Sequence, residues 1–253
     1  MTSTSLRRIA TIALAFGTAS AHAQPHSGDI TLTIANDAIV TNNVAGPNRV
    51  FTTRLGTSFP DFTDSPGFDC APLTFPSGTR NGFRIAGPLR KWNGTEFPST
   101  PPTEQLELAF ASLSRVTPTT AVEVEGFTLL VGSNGQWHRH LEFTLLAPAS
   151  DGLYLLELSL FSTRPGLNPS DHFWIIFSQN AGTADEALAE SWVRNSLIGS
   201  SCPGDWDEDG DTDSDDIVQF FGAWDSGEAD VDSDADTDSD DIIAFFFSWD
   251  GGC

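Results

Sequence analysis

The chain has 253 residues, 35 acidic against 12 basic, for a formal net charge of −23 at pH 7. That balance, with no cluster of Lys or Arg, excludes a phosphate-binding nucleic-acid surface, while 39% hydrophobic residues suffice for a real core. The acid is concentrated: residues 202–253 hold 18 Asp or Glu and no base, whereas residues 1–201 hold the other 17 acids and all 12 bases, a net of −5. Two materials of different composition are joined end to end.

Residues 1–23 read as a secretory signal peptide. Arg7 and Arg8 form a positive n-region, Ile9 to Phe16 an apolar h-region, and Ala21-His22-Ala23 a small-x-small cleavage site, so the mature chain is expected to begin at Gln24. The apolar run is far shorter than the ~20 residues that span a bilayer, and no other stretch comes close. The expected location is therefore outside the cell or on its surface, with no transmembrane segment.

Residues 24–195 read as a mainly β domain, an antiparallel β-sandwich of jelly-roll type with one helix at its C-terminal end. Short β-type runs are predicted at 30–34, 38–41, 49–55, 79–85, 106–113, 122–131, 136–146, 153–162 and 173–178, separated by turn signals such as Asn134-Gly135, Asp151-Gly152 and Pro165-Gly166. Asn134-Gly135 is expected to close a hairpin, since both residues tolerate positive φ. Thr183 and Glu186 have capping-box spacing at the start of the helix, and Leu188 and Trp192 repeat at four-residue spacing. Residues 196–201 read as a linker.

Chemistry in this domain is harder to read. No Gly-x-Ser-x-Gly nucleophile motif occurs. Glu104, Glu107, Glu123, Glu125, Glu142 and Glu157 could supply a carboxylate pair for glycoside hydrolysis, or could simply face water on strand surfaces. The run Trp137-His138-Arg139-His140-Leu141-Glu142-Phe143 is more specific. Alternation places His138, His140 and Glu142 on one face, with Trp137, Leu141 and Phe143 (and Arg139) on the other. Two imidazoles two residues apart on a strand can share zinc or copper, with His26 or His172 as a third ligand; the alternative is the wet face of a half-buried strand.

Residues 202–253 contain a repeat of 25 residues. The first copy runs from Asp205 through Asp207, Asp209, Asp211 and Asp213 to Asp216, then Ile217-Val-Gln-Phe-Phe-Gly-Ala-Trp224. The second runs from Asp230 through Asp232, Asp234, Asp236 and Asp238 to Asp241, then Ile242-Ile-Ala-Phe-Phe-Phe-Ser-Trp249. Asp at loop positions 1, 3, 5, 9 and 12, with a backbone carbonyl at 7, is the pattern a hard, oxygen-seeking cation needs, so two Ca²⁺ ions are expected. A disordered acidic tail is the usual meaning of a charge run. Here, however, the acids fall in two registered sets, each followed by apolar residues at i, i+3, i+4 and i+7: Ile217, Phe220, Phe221, Trp224 and Ile242, Phe245, Phe246, Trp249. Two such stripes would bury each other.

Export permits disulfides. Cys202 opens the acidic segment and Cys253 ends the chain, so a bond between them would staple the segment, worth roughly 4 kcal/mol for a loop of about fifty residues. Cys70 is left over, either buried or reactive.

The tail resembles a type I dockerin, and more closely the Gly-Cys-terminated variant at the C-termini of secreted bacterial proteins. The resemblance covers about Cys202 to Cys253 and implies a small α domain of two calcium loop-helix repeats that docks to a cohesin-like or cell-envelope protein. Ala235 stands where Gly is usual at position 6, and Thr212 and Thr237 where an aliphatic residue is usual at position 8. The run Gln136 to Leu160 resembles bacterial surface-anchored β domains with an early Gly-His-Val-Asp and a later His-x-His…Phe-Thr-x-Pro-Gly-x-Tyr, some associated with zinc limitation. His26-Ser27-Gly28-Asp29 matches the early motif loosely.

These features point to a secreted, two-domain, non-catalytic bacterial protein, a β-sandwich of unknown ligand carried on a calcium-dependent docking module. A polysaccharide-binding or polysaccharide-degrading protein is the first alternative, with Trp92, Trp137 and Trp174 as possible exposed platforms. A surface zinc-handling protein is the second.

Overall fold

The computed structural model describes residues 28–43, 46–199, 203–206, 212–231 and 236–251. The predicted signal peptide, His26, Cys202 and Cys253 lie outside them, as do Asp207, Asp209, Asp211, Asp232 and Asp234. The chain is mainly β, with three sheets and few helices. No helix among the described residues is long and apolar enough to cross a membrane.

The first sheet joins β1 (Ile30–Ala35), β2 (Ala38–Asn43), β3 (Gly46–Pro47) and β6 (Phe68–Cys70) in the order β3-β2-β1-β6. The second joins β5 (Phe62–Thr63), β9 (Leu106–Phe110), β10 (Leu113–Val116) and β12 (Glu142–Leu145) in the order β10-β9-β12-β5. The third contains β4 (Val50–Arg54), β7 (Arg80–Ile85), β11 (Val124–Leu130), β13 (Gly152–Ser162) and β14 (Phe173–Gln179), in the order β11-β7-β13-β14-β4, with β8 (Arg90–Lys91) also paired to β13.

Alternation in β13 and β14 explains the layering. Tyr154, Leu156, Leu158 and Leu160, with Phe173, Ile175 and Phe177, point into a large core shared with Ile30 and Leu32 of the first sheet and Leu106, Leu108 and Phe143 of the second. The intervening Leu153, Leu155, Trp174 and Ile176 join a smaller core with Ala189 and Val193 of helix α1 (Thr183–Val193). β14 is thus buried on both faces, which is why Phe-Trp-Ile-Ile-Phe reads as one unbroken apolar run.

Several local expectations change. The sheets are not purely antiparallel: β1 pairs with β6, and β14 with β4, in parallel. Each of those pairs joins strands far apart in sequence, a pattern that hairpin signals do not report. The turn at Asn134-Gly135 forms but closes no hairpin, because β11 joins the third sheet and β12 the second. Leu73 and Phe75 instead donate to the Asn134 and Gly135 carbonyls, and a Cβ on Gly135, at φ +79°, would come within 2.7 Å of Leu73 Cα. Helix α1 is capped by Gly182 without a side-chain hydrogen bond, so the Thr183–Glu186 capping box is absent; Glu186 pairs with Arg54 at 2.9 Å. Its buried face is Ala189 and Val193, with Leu188 58% exposed. Part of the expected linker continues as a π-helical turn, Arg194–Gly199, that packs Leu197 and Ile198 on the smaller core.

In the tail, helices α2 (Ser214–Ser226) and α3 (Ser239–Gly251) pack most of the two predicted stripes together, around a buried Phe220 and Phe245, whereas Phe221 stays 37% exposed. Phe220 and Phe245 hold equivalent repeat positions and stack at 4.1 Å with an interplanar angle of 5°. Trp206 packs edge-on against both rings.

A buried polar cluster pins the turn before β13. Ser150 Oγ donates to Glu104 Oε1, the Tyr154 hydroxyl lies 3.1 Å from the same oxygen and 2.6 Å from the Ser150 carbonyl, and Lys91 Nζ sits 3.6 Å away. Burial pushes the Glu104 carboxyl up, but hydrogen bonds from Ser150, its own backbone and Tyr154, with the Lys91 charge, outweigh it and hold it at about 2. A carboxyl depressed on folding contributes stability above its unfolded pKa of about 4.3 and loses it as pH falls through the folded value. The thermal midpoint of the wild type should therefore fall more steeply from pH 5 towards pH 2 than that of Glu104→Gln, the two curves converging in acid; parallel curves would contradict this role.

Candidate metal centre

Asp29 immediately precedes β1, and its place is set by backbone pairing. Ile30 lies opposite Phe68 in the parallel ladder, and the Ile30 N–H donates to the Gly67 carbonyl at 2.8 Å. Phe68 in turn exchanges two 2.8 Å hydrogen bonds with Arg139. Residues 136–141 are thus an extended segment bridged to β6, rather than part of the regular strand expected over 136–146. Alternation still holds: Trp137, Leu141 and Phe143 are buried, while His138 and His140 are half-buried on the opposite face.

These contacts bring Asp29, His138 and His140 together. The two Nε2 atoms are 3.1 Å apart, and each lies 3.6 Å from Asp29 Oδ2. The Asp29 side chain is only 4% exposed. Its Oδ1 accepts the Gly67 N–H at 3.0 Å, whereas the buried Oδ2 accepts no hydrogen bond. A buried carboxylate oxygen in that state is costly unless a cation or proton satisfies it.

His140 Nδ1 is 2.9 Å from the Asp64 carbonyl. A carbonyl only accepts, so Nδ1 carries the proton, and a neutral His140 presents its Nε2 lone pair to the cluster. Metal-binding histidines are held by this kind of outer hydrogen bond. Ligands about 2.0–2.1 Å from a tetrahedral zinc ion lie about 3.3–3.4 Å apart, and the three separations here straddle that distance. Two imidazoles and one carboxylate suit zinc, copper, nickel or iron and are a poor set for calcium, which takes oxygen ligands. The three side chains border a cleft of about 650 Å³, also lined by Thr52, Thr53, Ser65 and Pro66.

The expected third ligands fare differently. His172 is elsewhere, with Nδ1 2.6 Å from Glu157. Asp29, a ligand that the histidine pattern does not indicate, closes the His26-Ser27-Gly28-Asp29 motif, and its carboxylate at the edge of a β run is the one sequence signal for it. Asp64 and Gly67 had no sequence signal, since one acts through its carbonyl and the other through lack of a side chain.

Four of the six nominated glutamates are accounted for by structural contacts or exposure. Glu104 is held low, the reverse of a general acid; Glu123 and Glu125 are exposed beside Arg84; and Glu157 is engaged by Arg90 and His172. Trp137 and Trp174 are buried and offer no surface platform, while Trp92 is half-buried against Phe97 and Trp192. Cys70 is buried, its Sγ accepts the Trp137 N–H, and burial pushes its thiol pKa up, which marks an inert rather than reactive cysteine.

In the acidic tail, Asp236, Asp238 and Asp241 have carboxylate oxygens within 4.8 Å of one another. Asp241 is 1% exposed and accepts the Val231 and Asp238 N–H groups at 2.6 and 2.8 Å. Asp216 is equally buried and accepts the Asp213 N–H at 2.7 Å, closing a capping box. Each carboxylate oxygen retains lone-pair capacity for a hard cation. Asp205 and Asp230 are also described, at the start of the two repeats. Across the repeats, Trp224 Nε1 donates to the Asp238 carbonyl at 3.1 Å and Trp249 Nε1 to the Asp213 carbonyl at 2.9 Å, so each helix ties down position 9 of the other loop.

No protein-family model matches this chain, and no curated protein matches it significantly.

A Cβ added to Gly67 would meet His140 Cε1 at 2.6 Å, His140 Nε2 at 2.7 Å and Asp29 Oδ1 at 2.8 Å. Gly67→Ala should therefore displace the imidazole from the carboxylate. By nuclear magnetic resonance, the His138 and His140 ring signals should shift while the distant His172 signal stays put; unchanged rings in the variant would show that the cluster tolerates the methyl group.

Proposed function

We propose that this is an exported bacterial protein whose β domain binds a divalent transition metal, zinc being the foremost candidate, and whose acidic tail is a dockerin-like module that folds around two Ca²⁺ ions and docks it to a cohesin-like or other cell-envelope protein. The observation that carries the metal reading is the orphaned, buried Asp29 Oδ2 placed 3.6 Å from both imidazole Nε2 atoms. His138 and His140 serve as neutral nitrogen ligands and Asp29 as the anionic one, which lowers the charge of a bound divalent ion to +1. The tail reading rests on oxygen-only donors in registered loops and on the matched aromatic stack between the helices. Crowded carboxylates repel one another when empty, so ion binding there is coupled to folding.

Full-length protein stripped of metal and dialysed against zinc should retain one equivalent by elemental analysis. Asp29→Ala and the double variant His138→Ala/His140→Ala should lose it while keeping the β-type circular dichroism. Zinc retained at one equivalent by the double variant, or absent from the wild type, would refute the assignment.

Chelator should separately lower helical circular dichroism and speed proteolysis within residues 202–253, with the β domain left intact. Added Ca²⁺, but not Zn²⁺, should reverse this. A tail equally protected in excess chelator would refute the calcium reading.

A further inference from the structure

We infer that the Asp29–His138–His140 centre is an open one, which keeps a coordination position towards the cleft and takes a small oxyanion, such as a carboxylate, from solution. This rests on the metal reading above and adds a ligand to it. Structural zinc sites are closed by four protein ligands, whereas sites that exchange ligands have three and leave a position for water or another molecule. Among the described residues the cluster holds three ligating side chains and no fourth His, Cys, Asp or Glu.

The direction of the open position follows from the walls. Asp29, His138 and His140 all border the same cleft of about 650 Å³, so the side of the ion away from the protein faces a space larger than one water needs. The same cleft is lined by the hydroxyl-bearing residues Thr52 and Thr53 of β4 and Ser65. Hydroxyls donate readily to an oxyanion, and a centre of net charge +1 favours an anionic fourth ligand over a neutral one. Asp64 is the one acid on the wall besides Asp29; it is exposed, where solvent screens its charge, and its carbonyl is occupied by His140. The segment from Asp64 to Gly67 holds two of the ligands through its backbone, the Asp64 carbonyl on His140 Nδ1 and the Gly67 N–H on Asp29 Oδ1.

Cobalt(II) reports this directly, because its visible absorption changes with coordination. Full-length protein loaded with one equivalent of cobalt(II) at the centre should show a saturable spectral change on titration with acetate. Thr53→Val should bind cobalt unchanged and weaken acetate by about 2- to 10-fold, the range for losing one hydrogen bond. Cobalt bound with a spectrum indifferent to acetate would overturn the open position, as would a centre closed by His26, while sparing the metal reading. Equal acetate affinity in Thr53→Val would overturn the role of that wall. Failure to bind cobalt at all would remove both the inference and the metal reading on which it rests.

Discussion

The three-residue strand Phe68–Cys70 is the tie on which the β domain's site depends. On one side it pairs in parallel with β1, and on the other Phe68 exchanges hydrogen bonds with Arg139. The Phe68 ring is fully buried against Trp137 and Phe173, so this junction is anchored in the main core rather than left as a surface contact. Through that one strand, residue 29, residues 64–67 and residues 138–140 meet, although more than a hundred positions separate the first from the last.

What meets there is held under electrostatic tension. A carboxylate is withdrawn from water, one oxygen is satisfied by the Gly67 N–H, and the other is aimed at two imidazoles. A fold gains nothing in stability from burying a carboxylate oxygen that accepts no hydrogen bond. The rest of the domain shows how such a charge is handled when its role is structural. Glu104, equally buried, is surrounded by Ser150, Tyr154 and Lys91 and is fully engaged. The contrast between these two acids in one domain is the reason to read Asp29 as part of a binding site.

The two ion-binding regions proposed here differ in donor chemistry, and the difference separates their metals. The β domain offers two nitrogens and one oxygen at the wall of a cleft, suited to a borderline transition ion. The tail offers carboxylates alone, in loops whose empty state repels itself, suited to calcium. Its helices contribute the Phe220–Phe245 stack and two reciprocal indole hydrogen bonds, Trp224 to Asp238 and Trp249 to Asp213. Those bonds run from helix to opposite loop, so loop geometry and helix packing are coupled across the repeat.

The tail's design was legible in its sequence because it is local. A 25-residue repeat states its own register, and the 3.6-residue period names the face that is buried. The alternation at Trp137 to Phe143 was legible for the same reason, and it correctly turned both histidines away from the core. Local pattern could not say that Asn134-Gly135 would send its flanking strands to different sheets, that Gly182 would cap α1 in place of Thr183, or that parallel pairings would join β1 to β6 and β14 to β4. Nor could it select Asp29 over His172 as the partner of the two histidines. The sequence by itself determined which side chains were polar, which were apolar and how they alternate along each segment. Only the tertiary structure decided which segments lie side by side, because strand pairing is chosen by burial of whole faces across long stretches of chain, and a ligand set drawn from residues 29, 138 and 140 exists only after that choice is made.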